Sequence, residues 1–303
     1  MRELPFKVGT FTRSILIHVA RERGYLERAG IDVHESLVTS SPSQFQSLES
    51  GDFDVVFTSP DNVLAYQFLA KNPLGRRVPL QILSAVDGGL GLSLNIGPRL
   101  SDVGEVRGHT VGVDVPQSGF AFVAYELLAR SGLEPGTYEL KALGSTPTRA
   151  TALVEDRCAA TVLNAGNELR ARGFGCRTVS EVGELGPYLG TVIAATPSDD
   201  VSTNALRGRF CEVMLQTSTE ILAGTRMTDV VNAAMQLLDL DETQALEHYR
   251  CLSASASGLV ANGIVDVDAI ATLIDLRRTH MPAPELDGIL DSLNDILVGP
   301  ARG

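Results

Sequence analysis

Apolar and polar positions along the chain fall into short β-type runs alternating with amphipathic helical runs, and the whole pattern occurs twice. Lys7-Val8-Gly9 ends in a polar loop, and a helix is predicted from about Ser14 to Ala29 with Ile15, Leu16, Val19, Ala20 and Leu26 on one face. The series restarts at Thr110-Val111-Gly112, an offset of about 103 residues, with a helix from about Ser118 to Ser131 burying Phe122, Leu127 and Leu128. Gly30 and Gly132 stand where each helix should stop, since a helix C-terminus favours the left-handed backbone that glycine adopts without strain.

The parallel continues. Ile31-Asp32-Val33-His34 matches Tyr138 to Leu143 as a second strand, and Ser41-Pro42-Ser43 matches Thr146-Pro147-Thr148 as a helix start. Phe53 to Phe57 leads into Thr58-Ser59-Pro60-Asp61-Asn62, as Ala159 to Leu163 leads into Asn164-Ala165-Gly166-Asn167. Each half therefore reads β-α-β-α-β, which builds a mostly parallel sheet with right-handed crossovers. Ligands of such sheets sit beyond the carboxyl ends of the strands, so two α/β lobes facing each other enclose a shared cleft. Leu80 to Val86 and the alternating run Leu90 to Ile96 are expected to carry the chain across, and Gly190 to Thr196 to bring it back, with hinges near Asn95 and Thr196. The expected lobes are 1–95 with 197–303, and 96–196; the helices after Pro197 should clasp the lobe outsides.

Composition narrows the partners. A net charge of −12, scattered along the chain, argues against nucleic acid, which needs a concentrated basic surface. No apolar run approaches the roughly 18 residues of a membrane span. Cys158, Cys176, Cys211 and Cys251 have no metal-site spacing and read as small buried hydrophobes, so neither a metal nor a cofactor is called for. No leader precedes the first strand, which points to the cytoplasm as the sequence stands, and to the periplasm or cell surface if a leader has been removed.

Three stretches resemble the type II periplasmic-binding-protein-like family, in its nitrate, sulfonate and thiamine-precursor group, which includes the pyrimidine synthase. They are Ile17 to Leu26 with Gly30-Ile31-Asp32-Val33, Phe53 to Val56 through Pro60 to Tyr66, and Val103 to Val113. The resemblance implies two lobes and a cleft lined by the first-turn loop, the second-turn loops and the residues after the third strands. Ser41 and Ser59 are placed in the cleft on that ground, while Asn164 and Asn167, ending the matching strand, are themselves suited to hydrogen-bond a ligand from the second lobe.

The residues offer their own candidates. Thr10-Phe11-Thr12-Arg13 precedes a helix, so free N–H groups, Thr12 and Arg13 are suited to a carboxylate or sulfonate, or else Thr12 is only a cap. Asp61 and Asn62 follow the third strand, and capping alone explains an acid there. Asp87 and Gly88 suit a hinge or a close approach, or a plain turn. Gln117, Ser118 and Gly119 open a helix that can hold an anion or simply be capped. His109, His248 and His280 show no partner nearby in sequence, and His18 reads as a cleft-edge or core imidazole.

Two functions survive. The favoured one is a binding protein, partnered by an ABC permease or working inside the cell, for a solute with one anionic or strongly polar group beside an apolar part that meets Phe11 and Tyr66. The alternative is a cytoplasmic enzyme on the same scaffold, like the pyrimidine synthase, a desulfinase or a futalosine-pathway protein, acting on a small carboxylated or heterocyclic substrate. It lacks the expected cysteines, and its candidate catalytic residues are His18 and Asp61.

Overall fold

The structure, a computed structural model, describes residues 5–303. Its first part runs β1 (Phe6–Thr10), α1 (Ile15–Glu22), α2 (Tyr25–Arg28), β2 (Val33–Leu37), α3 (Ser41–Glu49), β3 (Val55–Thr58), α4 (Pro60–Phe68) and β4 (Gln81–Asp87). The chain then crosses to β5 (Ser93–Ile96), β6 (Thr110–Val113), α5 (Gly119–Arg130), β7 (Glu139–Ala142), α6 (Thr146–Val154), β8 (Ala160–Leu163), α7 (Asn167–Gly173) and β9 (Arg177–Glu181). It returns through β10 (Thr191–Ala195) and ends in α8 (Val201–Leu222), α9 (Met227–Leu238), α10 (Glu242–Leu252), α11 (Val267–His280) and α12 (Ile289–Ile296).

Two five-stranded sheets result, ordered β2-β1-β3-β10-β4 and β7-β6-β8-β5-β9. In each, three parallel strands come from the repeat, and the fourth is a crossing strand laid antiparallel against the third. The duplication and the two-lobed α/β architecture are as expected.

Local differences have local causes. The predicted first helix is two helices, because Gly24 is left-handed (φ 66°) and ends the first. β2 starts two residues late, since Ile31 N–H bonds back to Leu26 O and closes the preceding helix end. β5 is only four residues long and buried on both faces between β8 and β9. Asn95 is therefore inside the second sheet, its side chain bonded to Ser93 and Thr178. The crossings fall earlier, between β4 and β5 and between β9 and β10, rather than at Asn95 and Thr196.

The C-terminal helices do more than coat the lobes. α8 and α9 cover the first sheet beside α1, but α10 also meets α7, and α11 lies against both α4 and α5. One apolar core runs from Phe45, Val63 and Tyr66 of the first lobe through Ile270 and Leu273 of α11 to Phe122 and Leu127 of the second. On this seam Arg277 makes two bonds to the Asp61 carboxylate, at 2.8 and 2.6 Å, and a third to Gln117 O at 3.2 Å. Both charged side chains are almost wholly buried.

Truncating one member of such a pair strands the other charge out of water. Arg277→Ala should cost about 3–5 kcal/mol, and the double replacement Asp61→Leu with Arg277→Met should recover most of that. Urea denaturation measures both; equal losses in the single and double variants would show that the pair does not hold the seam.

Candidate functional site

Both sheets end their parallel strands at one cavity of about 130 Å³, room for a small organic molecule. Thr10, Phe11, Thr12, Arg13, Ser59, Asn62 and Asp87 of the first lobe line it, with Ser118, Gly119 and Asn164 of the second. The lobes are closed over it. A Cβ on Gly119 would sit 2.6 Å from Asp61 Cβ, one on Gly144 2.8 Å from Thr39 O, and Asn167 Nδ2 donates to Thr12 Oγ1 at 3.3 Å.

Ser41, Asp61, Gly88 and Gln117, expected in the cleft, do not line it. Asp61 is consumed by Arg277, and so is the Gln117 carbonyl. Ser41 Oγ accepts from the Tyr66 hydroxyl at 3.4 Å, and Tyr66 itself stacks on Phe45 in the core rather than meeting a ligand. Gly88 is needed for a different close approach: a Cβ there would lie 2.6 Å from Ala256 O. His18 is half-buried on α1 and also outside the cavity, so neither suggested catalytic residue reaches it.

The first-turn loop holds the expected geometry but already has an occupant. Glu35, from β2, presents Oε1 to Thr10 Oγ1 at 2.9 Å and to Ser14 N–H at 2.8 Å. Arg13 donates to Glu35 O at 3.0 Å and lies 3.6 Å from its carboxylate. The helix N-terminus that should attract a ligand anion is satisfied by the protein's own carboxylate.

Three ionisable lining residues escaped the sequence reading: Asp114 after β6, Arg149 in α6 and His248 in α10. Arg149 is 1% exposed and ties Gly144 O, Thr146 Oγ1 and Val162 O, at 2.6, 3.1 and 3.3 Å. Burial lowers its pKa to about 10, against the opposing pull of Asp114, so it stays charged at neutral pH. Burial raises the Asp114 carboxyl and drops the His248 imidazole to about 4, leaving that ring neutral. Arg149 had a signal. Laying Thr-Pro-Thr-Arg on Ser-Pro-Ser-Gln pairs it with Gln44, which bonds Gly9 O and Phe57 O in the first lobe. His248 had none, because nothing in a helical pattern says that α10 reaches the cleft.

Two further acids sit at the crossings. Asp87 is raised to about 6 by burial, against the Gly89 N–H that donates to it at 2.8 Å. Glu168 is raised to about 8 by burial, and its Oε1 is only 2.9 Å from where a Cβ on Gly91 would be. All four thiols are pushed up by burial, Cys158 to about 11, so none is poised as a thiolate. Among the described residues no cluster of His, Cys, Asp or Glu is arranged to hold a metal, and no helix is long and apolar enough to cross a membrane.

The architecture is that of the type II periplasmic binding proteins. The alkanesulfonate-binding protein SsuA from Xanthomonas axonopodis pv. citri, bound to MOPS, superposes with a TM-score of 0.72 at 13% identity, covering 93% of this chain and 95% of that one. The periplasmic nitrate-binding protein NrtA from Synechocystis PCC 6803 gives 0.73 at 13%, covering 99% and 92%. A Candida albicans gene product that defines a new family with the generic periplasmic-binding-protein fold gives 0.74 at 14%, covering 98% and 97%. At these identities the likeness is one of fold. No family model and no curated protein matches the sequence.

Glu168 makes stability depend on pH. Its folded pKa of about 8 lies above the ordinary 4.5, so the folded state binds the proton more tightly. Its contribution is complete below pH 4.5 and disappears as pH rises through about 8. Glu168→Gln should flatten that decline and exceed the wild type at pH 9 by on the order of 4 kcal/mol. His248 acts oppositely, its contribution being lost as pH falls from 6.5 toward about 4. Urea midpoints across pH 4–9 test this; parallel curves for wild type and Glu168→Gln would refute the assignment.

Proposed function

We propose that the chain is a solute-binding protein that closes two lobes over one small organic molecule bearing an anionic or strongly polar group beside an apolar part. The observation that carries this is the cavity between the lobes, with polar side chains contributed by both and apolar surface from Phe11, Phe57 and Leu259. The fold supports the same reading, since SsuA and NrtA bind an alkanesulfonate and nitrate by their names. A ligand-binding component of an ABC-type import system from Staphylococcus aureus shares the fold too. Exported to the periplasm or cell surface, this chain would deliver its solute to an ABC permease; retained in the cell, it would act as a carrier or sensor.

The first-turn loop is not the ligand's charge partner in this reading, because Glu35 already fills it. Arg149 in the second lobe is the cation left to meet an oxyanion. Opening must pivot at the β4–β5 and β9–β10 crossings while α11 slides on one lobe.

Closure is testable without knowing the ligand's name. The protein should be extracted with its bound small molecule, identified by mass spectrometry, stripped and reloaded. Small-angle scattering should show the radius of gyration fall on reloading. Gly119→Ala, which wedges a methyl against Asp61, should keep the larger radius and bind about tenfold more weakly or worse. An unchanged radius with ligand demonstrably bound would defeat the closing mechanism.

A further inference from the structure

Three residues around the cavity each carry a buried polar atom with no hydrogen-bond partner: Asp114 Oδ1, Arg149 Nε and His248 Nδ1. They are 8%, 1% and 1% exposed and come from three separate elements, the loop after β6, α6 and α10. Folded chains pair nearly all such atoms, so a set that converges on one cavity marks a place that something else completes.

The duplication shows that the charge of Arg149 is not a structural requirement. In the first lobe Gln44, at the matching place, ties Gly9 O and Phe57 O with a neutral amide. In the second lobe the equivalent place holds a guanidinium that also bonds a strand-end carbonyl, Val162 O, yet keeps one N–H in reserve. Asp114 likewise stands where the first lobe has Phe11. Both charges were placed in the half of the cleft that has no counterpart to Glu35.

The two charges constrain the occupant. A simple anion drawn to Arg149 would lie in the field of Asp114, and a simple cation drawn to Asp114 in that of Arg149. We propose that the occupant is a small amphoteric molecule with no net charge, whose oxyanion, such as a carboxylate, meets Arg149 and whose neighbouring ammonium or other N–H donor meets Asp114. Its apolar part lies against Phe11, Phe57 and Leu259, and the neutral His248 ring supplies a third polar contact. This rests on the cleft being the binding site and sharpens what the cleft selects.

The test uses the whole chain, stripped of ligand, with two matched sets of probes: hexanoate, hexylamine and norleucine, and benzoate, benzylamine and phenylglycine. Calorimetric titration should rank the amphoteric member of each set at least about tenfold above its single-charge counterparts. Asp114→Asn should shrink that ratio to within about threefold, because the amide supplies no charge to the ammonium. Arg149→Gln, the residue used at the matching place in the first lobe, should lose the amphoteric probes while melting cooperatively by circular dichroism. Carboxylates that match the amphoteric probes, amphoteric probes that do not bind, or an unchanged ratio in Asp114→Asn each overturn the proposal. Thr12→Trp, in the lining of the cleft, separates the two levels. Probe binding unaffected by it removes the cleft as the site. Binding abolished by it, with carboxylates as strong as amphoteric probes, keeps the cleft and removes the amphoteric requirement.

Discussion

The buried ion pair between Asp61 and Arg277 is the constraint on which the assembly of this chain depends. A carboxylate and a guanidinium taken wholly out of water are tolerable only if they meet each other and fill their remaining bonds. Here that condition brings together α4 of the first lobe, α11 of the C-terminal segment, and the Gln117 carbonyl of the second lobe. Phe122 of α5 completes the surroundings, with the guanidinium 4.8 Å from its ring centre. Three segments far apart in sequence must be in place at once, so the closed arrangement is specified by chemistry as well as by shape. Gly119 follows from the same constraint. At 2.6 Å from Asp61 no Cβ fits, and only a glycine lets the second lobe come this near.

α11 is tied to the second lobe again one turn later. His280 lies 3.3 Å from Glu126 and stacks over Phe122, both on α5. α10 repeats the theme on the other side, where Gln244 donates to Leu169 O of α7 at 3.0 Å. The segment after β10 is thus a pair of straps across the cleft rim as well as a covering for the first sheet. Straps of this kind resist free rocking of the lobes about two bare strands. They confine any motion to sliding at a few side-chain contacts.

Much of this was legible in the sequence, for a definite reason. The repeat is carried by backbone-level signals, namely β-runs, helix stops at glycine and Ser-Pro or Thr-Pro helix starts, and these depend on neighbours a few residues away. Two mostly parallel α/β lobes with a cleft between them follow from these signals. What the sequence hid is long-range. Thr10 to Arg13 looked like an anion site because nothing local reveals that Glu35, more than twenty residues on, folds into it. Asp61 looked like a cap or a ligand contact because its partner lies 216 residues away. The strictly alternating run into β5 suggested a strand crossing between the lobes, yet Ser93 and Asn95 are buried within the second sheet, and their polarity serves a hydrogen-bonded sheet interior.

The two halves of the duplicated frame have diverged in a consistent direction. In the first lobe, polar groups at the strand ends are turned on the protein itself: Glu35 satisfies Thr10 and Ser14, and Gln44 ties Gly9 to Phe57. Glu35 and the Gln44 amide N–H groups are thus spent on the protein's own backbone and side chains, though Gln44 Oε1 is left without a partner. In the second lobe the equivalent region carries Asp114 and Arg149, two cavity-lining residues that each keep one buried atom without a partner. Opposite charges held apart in a low-dielectric wall create a directed field, which neither a neutral amide nor an already paired carboxylate provides. Both lobes line the cavity with polar side chains, and the second adds the buried pair of opposite charge, Asp114 and Arg149. A duplicated fold makes that difference visible, because the first half shows what the second would look like without that pair.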